Sequence, residues 1–229
     1  MTKILPQHFI LNKPRDIVSG DYYWSTQRGS ESIIAVADCT GHGVPGAFMS
    51  MLGIAFLNEI VNKSSKTNSH EILDQLRSHV MKSLHQTGKE NESKDGMDIA
   101  LCIINMQKKE LQFSGAHNPL YLIRNKELTE IKADKMPIGI SLRYNQPFKC
   151  HNLMLQKDDL LYIFSDGYYD QFGGPNKKKF SMRRFRDLLT EIHQESMEQQ
   201  HHLLDQHFLE WKGSFDQLDD ILVMGIKVD

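Results

Sequence analysis

The chain has 229 residues, with 27 Lys and Arg against 29 Asp and Glu, so its formal net charge is −2. This length favours a single domain over residues 1–229, and the near-neutral charge argues against a dedicated nucleic-acid-binding protein. The three cysteines are scattered without CxxC spacing, and no apolar run approaches the ~20 residues of a membrane helix. These features predict a soluble, cytoplasmic protein with no membrane segment and no disulfide framework.

The first third of the chain combines short strands with long helices. Residues 33–37 (IIAVA) form an apolar run of strand length, followed by the glycine-rich DCTGHGVPG. Apolar residues at helical spacing predict a helix over 44–62 and a second helix over 70–86, with Ser69 as the N-cap of the second.

The rest of the chain alternates strands and helices without regular βαβ order. Residues 99–105, 110–116, 119–124 and 127–132 predict consecutive antiparallel strands in a meander. Two further strands are predicted at 160–164 and 221–228, with two helices between them over 181–211, broken near 195–197. This order indicates an α/β (α+β) sandwich built on mostly antiparallel sheets.

Aspartates stand at the ends of the predicted strands. Asp38 ends IIAVA, Asp166 follows LLYIF, Asp219 and Asp220 open the last strand, and Asp21 precedes YYW. Carboxylates brought together at strand ends repel one another unless protons or cations neutralise them, and Mg²⁺ and Mn²⁺ prefer such oxygen ligands. For any single one of these aspartates, ordinary turn chemistry beside glycine is the alternative.

Ordered motifs carry a resemblance to a known family. The chain resembles the bacterial metal-dependent Ser/Thr protein phosphatases of the stage II sporulation protein E type, a branch of the 2C-type (PPM) phosphatases. The resemblance implies a four-layer αββα sandwich. The motifs are SGDYYW (19–24), ADCTGHGVPGAFMS (37–50), SGAHNPLYL (114–122), FSDGYYDQFGG (164–174) and LDDILV (218–223).

The resemblance also implies a site for two Mn²⁺ or Mg²⁺ ions. Asp38 would bridge both ions, and the backbone carbonyl of Cys39 would add a ligand. Asp166 and Asp219 would serve the first ion and Asp21 the second. A water made more acidic by the cations would attack the phosphorus of a phosphoserine or phosphothreonine.

In this family the usual substrate is a phosphorylated regulatory protein, often an anti-sigma-factor antagonist. The resemblance therefore implies such a partner and a possible sensory or regulatory domain. The helices at 44–62 and 70–86 could transmit regulation to the metal-binding loop. Two alternatives stay open: a hydrolase of small phosphate esters, and a non-catalytic phosphoprotein-binding module of the same fold.

Several residues have two interpretations on sequence alone. Asp220 could exchange roles with Asp219, and His42 could be a general acid, although a hydrogen bond that stabilises its loop is favoured. Arg15 and Lys13 are candidates for phosphate binding or a solvated basic pair. The basic stretch 177–186 reads as a solvated face or as a flap that attracts an acidic phosphoprotein. No chemistry could be assigned to Asp98.

Overall fold

The computed structural model describes residues 5, 7–63, 68–89 and 92–229. Its strands are β1 (His8–Lys13), β2 (Tyr22–Arg28), β3 (Glu31–Cys39), β4 (Met97–Asn105), β5 (Glu110–Ala116), β6 (Leu120–Arg124), β7 (Glu127–Ile131), β8 (His151–Met154), β9 (Leu160–Phe164), β10 (Phe172–Gly173), β11 (Lys178–Lys179) and β12 (Ile221–Lys227). Its helices are α1 (Gly43–Lys63), α2 (Ser69–Ser83), α3 (Gly167–Asp170), α4 (Met182–Ile192) and α5 (Met197–Lys212).

Two five-stranded antiparallel sheets are stacked between two helical layers. One sheet has the order β1-β12-β9-β6-β7 and the other β2-β3-β4-β5-β8, while β10 and β11 form a separate hairpin. One apolar cluster joins α1 and α2 to the second sheet, another fills the space between the sheets, and a third joins α4 and α5 to the first sheet. The expected four-layer αββα sandwich is confirmed.

The run IIAVA is continuously apolar because β3 is buried on both faces. Ile33, Ala35 and Ala37 face the α1/α2 layer, whereas Ile34 and Val36 face the other sheet. Successive side chains in a strand point to opposite faces, so a strand between a helical layer and a second sheet needs apolar residues at every position.

Two local predictions were wrong. The N-cap of α2 is Asn68, whose backbone N–H donates to Glu71, while Ser69 begins the helix and pairs its hydroxyl with that of Ser114. The predicted meander is two hairpins, β4–β5 and β6–β7, that belong to different sheets. Both sheets offer apolar partners to these strands, so local periodicity did not reveal where the chain crosses between them.

Other element bounds agree closely with the sequence. The strands predicted at 110–116 and 160–164 are confirmed at both ends, and the break between the last two helices falls where predicted. Strands β1, β2 and β8 were not predicted. They lie at sheet edges and carry exposed or half-exposed residues among buried ones, so their apolar signal is weak.

Helix α1 is the one helix in the described part of the chain that is long and apolar enough to cross a membrane by length and composition alone. This differs from the expectation that no apolar run approaches the length of a membrane helix. Its buried face, which includes Met49, Leu57, Ile60 and Val61, packs in the cluster with α2 and the second sheet. The helix therefore takes part in the core of this fold.

The topology gathers one set of strand ends at one end of the sandwich. Tyr22 at the start of β2 pairs with Ala37 near the end of β3, and Phe164 at the end of β9 pairs with Val223 near the start of β12. Contacts between β3 and both β9 and β12 place these ends of the two sheets beside each other.

Candidate metal centre

A cavity of about 230 Å³ opens at this end of the sandwich. Asp38, Asp166 and Asp219 line it, together with Cys39 and Asp98. Three of the aspartates predicted from strand ends therefore share one cavity, although they are contributed by distant parts of the chain.

Asp21 lies beside this cavity but is not among its lining residues. Its side chain is 5% exposed, and the hydroxyl of Ser165 donates a hydrogen bond to its carboxylate. The charges of Asp166 and Asp219 act on it. The structure thus places the fourth predicted aspartate in the same electrostatic cluster, in a more buried position.

The surroundings destabilise the charged form of each carboxyl group in this cluster. Burial raises the pKa of Asp21, Asp38, Asp166 and Asp219, and repulsion from neighbouring carboxylates raises each pKa further. Asp38 and Asp166 act directly on each other's ionisation. A bound cation would remove this repulsion and hold the groups ionised.

The donor set fits a hard divalent cation that keeps part of its water shell. Among the described residues, no three side chains of His, Cys, Asp or Glu converge on one point. The carboxylates instead line the walls of an open cavity. Mg²⁺ retains several waters and takes only one or two carboxylates, so this spacing suits Mg²⁺ or Mn²⁺ rather than a closed structural zinc site.

Glycines bring the loop after β3 close to the β1–β2 loop. A Cβ atom on Gly20 would lie 2.5 Å from the carbonyl oxygen of Gly41 and 3.4 Å from that of Cys39. A Cβ on Gly46 would lie 2.3 Å from the same Gly41 oxygen, and Gly41 itself has a φ of +83°. Only glycine permits these approaches, which fixes the cavity-lining loop against the segment before β2 that carries Asp21.

Asp219 and Asp220 have different surroundings. Asp219 lines the cavity. Asp220 is 2% exposed, and its carboxylate accepts hydrogen bonds from the backbone N–H groups of Arg15 and Gly20, both at 2.7 Å. Asp220 therefore anchors the β1–β2 loop, and the geometry favours Asp219 as the aspartate that faces a cation.

The basic residues considered for phosphate binding make other contacts. Arg15 donates from its guanidinium to the carbonyl of Leu218, and Lys13 forms an ion pair with Asp205 at 2.5 Å. His42 lines the cavity while its Nδ1 atom lies 2.9 Å from the carboxylate of Asp16. The hydrogen bond favoured for His42 is present, and the ring also faces the cavity.

Half of the basic residues in the stretch 177–186 have structural partners. Lys179 pairs with Asp170 at 2.7 Å, Arg184 stacks 4.3 Å above the ring of Trp211, and Arg186 lies 3.5 Å from Glu130. The stretch is therefore neither a uniformly solvated face nor a free basic flap.

Sequence reasoning noted Asp98 without assigning it a role and missed Lys94. Asp98 pairs directly with Asp38 across β3 and β4, and burial, with the nearby charge of Asp166, raises its pKa to about 7. Lys94 lines the same cavity. A signal for Asp98 existed, because an acid interrupts the apolar run of β4, but the strand register was needed to interpret it.

The family model described as Stage II sporulation protein E (SpoIIE) matches residues 28–229. The chain belongs to this family. The matched range includes Asp38, Asp166 and Asp219, whereas Asp21 lies before it.

Individual relatives agree with this assignment. The chain is 28% identical over 162 residues to the phosphoserine phosphatase RsbU of Bacillus subtilis, a match that covers 69% of this chain and 44% of RsbU. The chain thus spans less than half of that relative's length.

The fold is also found in solved structures. The SiaA-PP2C domain of Pseudomonas aeruginosa is 30% identical and superposes with a TM-score of 0.87 over 97% of this chain and 86% of that domain. The PP2C phosphatase domain of SpoIIE from Bacillus subtilis, solved with a fragment of its regulatory domain, has a TM-score of 0.78 at 19% identity. That match covers 97% of this chain and 63% of that one, and it supports the fold alone.

Proposed function

We propose that this domain is a metal-dependent phosphatase that hydrolyses phosphoserine or phosphothreonine on a regulatory protein. The observation that carries the proposal is that Asp38, Asp166 and Asp219 line one cavity of a SpoIIE-family fold. The name of the relative RsbU, a phosphoserine phosphatase, supports the reaction class.

The described residues suggest how two Mn²⁺ or Mg²⁺ ions would be held. Asp38, Asp166 and Asp219 would hold the first ion, in part through its bound waters, and Asp38 and Asp21 the second, with the carbonyl of Cys39 as a further ligand. Bound there, the cations would acidify a water for in-line attack on phosphorus and neutralise charge on the phosphoryl oxygens.

A residue of the chain, His42, would supply a proton to the leaving group. His42 faces the cavity and is hydrogen-bonded to Asp16, so it is placed to donate a proton to the departing serine or threonine oxygen. Asp16 would hold the ring in orientation.

A cysteine nucleophile does not suit this site. Cys39 is the one cysteine that lines the cavity, but burial and the nearby carboxylates raise the pKa of its thiol far above the usual range. Because the thiolate is the nucleophilic form, a covalent phosphocysteine pathway is disfavoured. Direct attack by water needs no protein nucleophile and agrees with the carboxylate cluster.

The proposed substrate is a phosphorylated regulator of the anti-sigma-factor-antagonist kind, as the family resemblance implies. Experiment distinguishes two alternatives from this proposed activity. A hydrolase of small phosphate esters would prefer p-nitrophenyl phosphate and nucleotides to a phosphopeptide. A phosphoprotein-binding module would bind cations and phosphopeptide without turnover.

The test measures phosphate release from a phosphoserine peptide and from p-nitrophenyl phosphate with Mn²⁺, Mg²⁺ or EDTA. We expect cation-dependent turnover that falls at least about a hundredfold in Asp38→Asn and Asp166→Asn. Asp158→Asn is the matched control, because Asp158 pairs with Lys227 at the other end of β9. Folded wild-type protein that binds cations by calorimetry but releases no phosphate would contradict the proposal.

A further inference from the structure

A second depression adjoins the cavity of the metal centre. This rim groove has a volume of about 450 Å³ and lies between residues 88–89, 92 and 94 on one side and residues 140–144 on the other. Its walls include Lys89, Glu92, Ile140, Leu142 and Tyr144. Lys94 lines both the rim groove and the cavity of the carboxylates, so the two spaces adjoin at this residue.

Hydrogen bonds fix the first wall of the rim groove. The carboxylate of Glu92 accepts from the backbone N–H and the hydroxyl of Thr87, at 2.5 and 2.6 Å, and from the N–H of Gly88 at 2.8 Å. The carboxylate of Glu92 therefore holds Thr87 and Gly88 close to the segment 92–95, which carries Lys94.

Further hydrogen bonds tie the segment that carries Lys94 to neighbouring parts of the chain. The side chain of Gln86 donates to the carbonyl of Asp95 at 2.6 Å and accepts from the N–H of Ile140 at 2.9 Å, which joins the two walls. Thr40 and Gly96 exchange two hydrogen bonds, at 3.0 and 3.1 Å, which joins the first wall to the loop after β3. The position of the rim groove relative to the carboxylates is thus set by the fold.

The chemistry of the rim groove is cationic at its inner end and apolar at its outer wall. Lys94 forms no ion pair with any carboxylate in the described ranges. Leu142 is fully exposed and Tyr144 is 45% exposed. Because an unpaired cation and exposed apolar side chains gain from contact with a ligand, this surface is suited to an extended segment that carries an acid and an apolar residue.

We infer that the rim groove binds the substrate segment next to the phosphoserine, an inference that rests on the proposed phosphatase function. Lys94 contacts an acidic residue adjacent to the phosphoserine, and Leu142 and Tyr144 contact an apolar residue further along the same segment. The position of the rim groove next to the carboxylate cavity and the positive charge of Lys94 favour this occupant.

The test compares two phosphoserine peptides that differ only in having Glu or Lys beside the phosphoserine, with p-nitrophenyl phosphate as a substrate that has no flanking segment. For the wild type we expect kcat/KM to favour the Glu peptide, by about tenfold at low salt and less at high salt. The Lys94→Glu variant should reverse this preference. Leu142→Ala should lower the ratio of kcat/KM for the peptide to that for p-nitrophenyl phosphate by about tenfold.

Lys157→Ala is the matched control, because Lys157 is an exposed lysine in the turn before β9, at the end of that strand away from Asp166. We expect it to leave every ratio unchanged. Two results together would overturn the inference about the rim groove while leaving the phosphatase function intact. Lys94→Glu would still prefer the Glu peptide, and Leu142→Ala would keep the wild-type ratio of kcat/KM for the peptide to that for p-nitrophenyl phosphate.

Binding of a fluorescent phosphopeptide to Asp166→Asn, followed by anisotropy, tests the rim groove without turnover. We expect Lys94→Glu, added to this variant, to weaken binding of the Glu peptide about tenfold. Equal binding with and without Lys94→Glu would overturn the inference even if the protein releases no phosphate from any substrate.

Discussion

Neighbouring aspartates at the start of β12 perform different tasks. Asp220 satisfies two backbone N–H groups in a buried position, whereas Asp219 lines the cavity. We expect Asp220→Ala to lower the free energy of unfolding by about 2–3 kcal/mol, because two buried donors lose a charged acceptor. Asp219→Asn should retain stability and lose turnover.

Urea unfolding and phosphate release, measured on both variants, check this division. Equal losses of stability in Asp219→Asn and Asp220→Ala would contradict it, and so would full activity in Asp219→Asn.

Gly20 is required by the packing of the loop after β3. In Gly20→Ala the new Cβ would meet the Gly41 carbonyl at 2.5 Å, so we expect a loss of roughly 2–3 kcal/mol of unfolding free energy and weaker cation binding. Gly29→Ala is the comparison, because its Cβ would meet nothing within 4 Å and its φ is +60°. It should cost about 1–2 kcal/mol and leave cation affinity unchanged.

Thermal unfolding and calorimetric titration with Mn²⁺ distinguish the two glycine variants. If Gly20→Ala retained wild-type cation affinity, the packing of Gly20 would not determine the shape of the site.

At the scale of elements, helix α1 is coupled to the cavity-lining loop after β3 by direct packing. It begins at Gly43, immediately after the cavity-lining residues Gly41 and His42, and Gly46 in its first turn packs on the Gly41 carbonyl. Since α1 also packs on α2, a change at the cations would reach both helices. This supports the hypothesis that these helices transmit regulation.

We expect Mn²⁺ to slow amide hydrogen exchange over residues 39–50 in the wild type, because cation binding fixes the loop from which α1 starts. Exchange in α5 should not change, and Asp38→Asn should abolish the effect. Mass spectrometry of exchanged peptides measures this. Unchanged exchange in α1 and α2 would contradict the regulatory hypothesis.

At the scale of the whole molecule, the carboxylate cluster makes stability depend on pH. Burial raises the pKa of Asp98 to about 7, and burial and neighbouring charges raise the pKa of Asp21 to about 8, from a model-peptide value of 3.8. Between about pH 4 and pH 8 the native state therefore binds more protons than the unfolded state. The free energy of unfolding in EDTA should fall as pH rises through this range, by a few kcal/mol.

Urea unfolding in EDTA at pH 5 and pH 8 measures this fall. Asp98→Asn should reduce it, and Asp187→Asn, which changes an exposed residue of α4, should not. Excess Mn²⁺ should raise stability most at pH 8, because the cation binds the ionised carboxylates. Stability that rises from pH 5 to pH 8 without cations would contradict the clustering of carboxylates.

Sequence reasoning located most elements because their signals are local. The apolar run of β3 and the helical spacing that begins α1 depend on residues close in the chain, and both elements were found. The edge strands β1, β2 and β8 were missed because partial exposure weakens their apolar pattern. The crossing between β5 and β6 was missed because hairpins at 97–116 and 120–131 have the same local pattern whether they share a sheet or not.

The amino-acid sequence by itself determined the residue types and their placement at strand ends, which was enough to predict Asp21, Asp38, Asp166 and Asp219 as a cluster and to indicate the family. Tertiary structure alone decided which side chains share the cavity. It separated Asp219 from Asp220 and brought Asp98 opposite Asp38. It also joined Lys94 to the rim groove. The physical reason is that these relations depend on strand register and on hydrogen bonds between distant segments, which local periodicity does not encode.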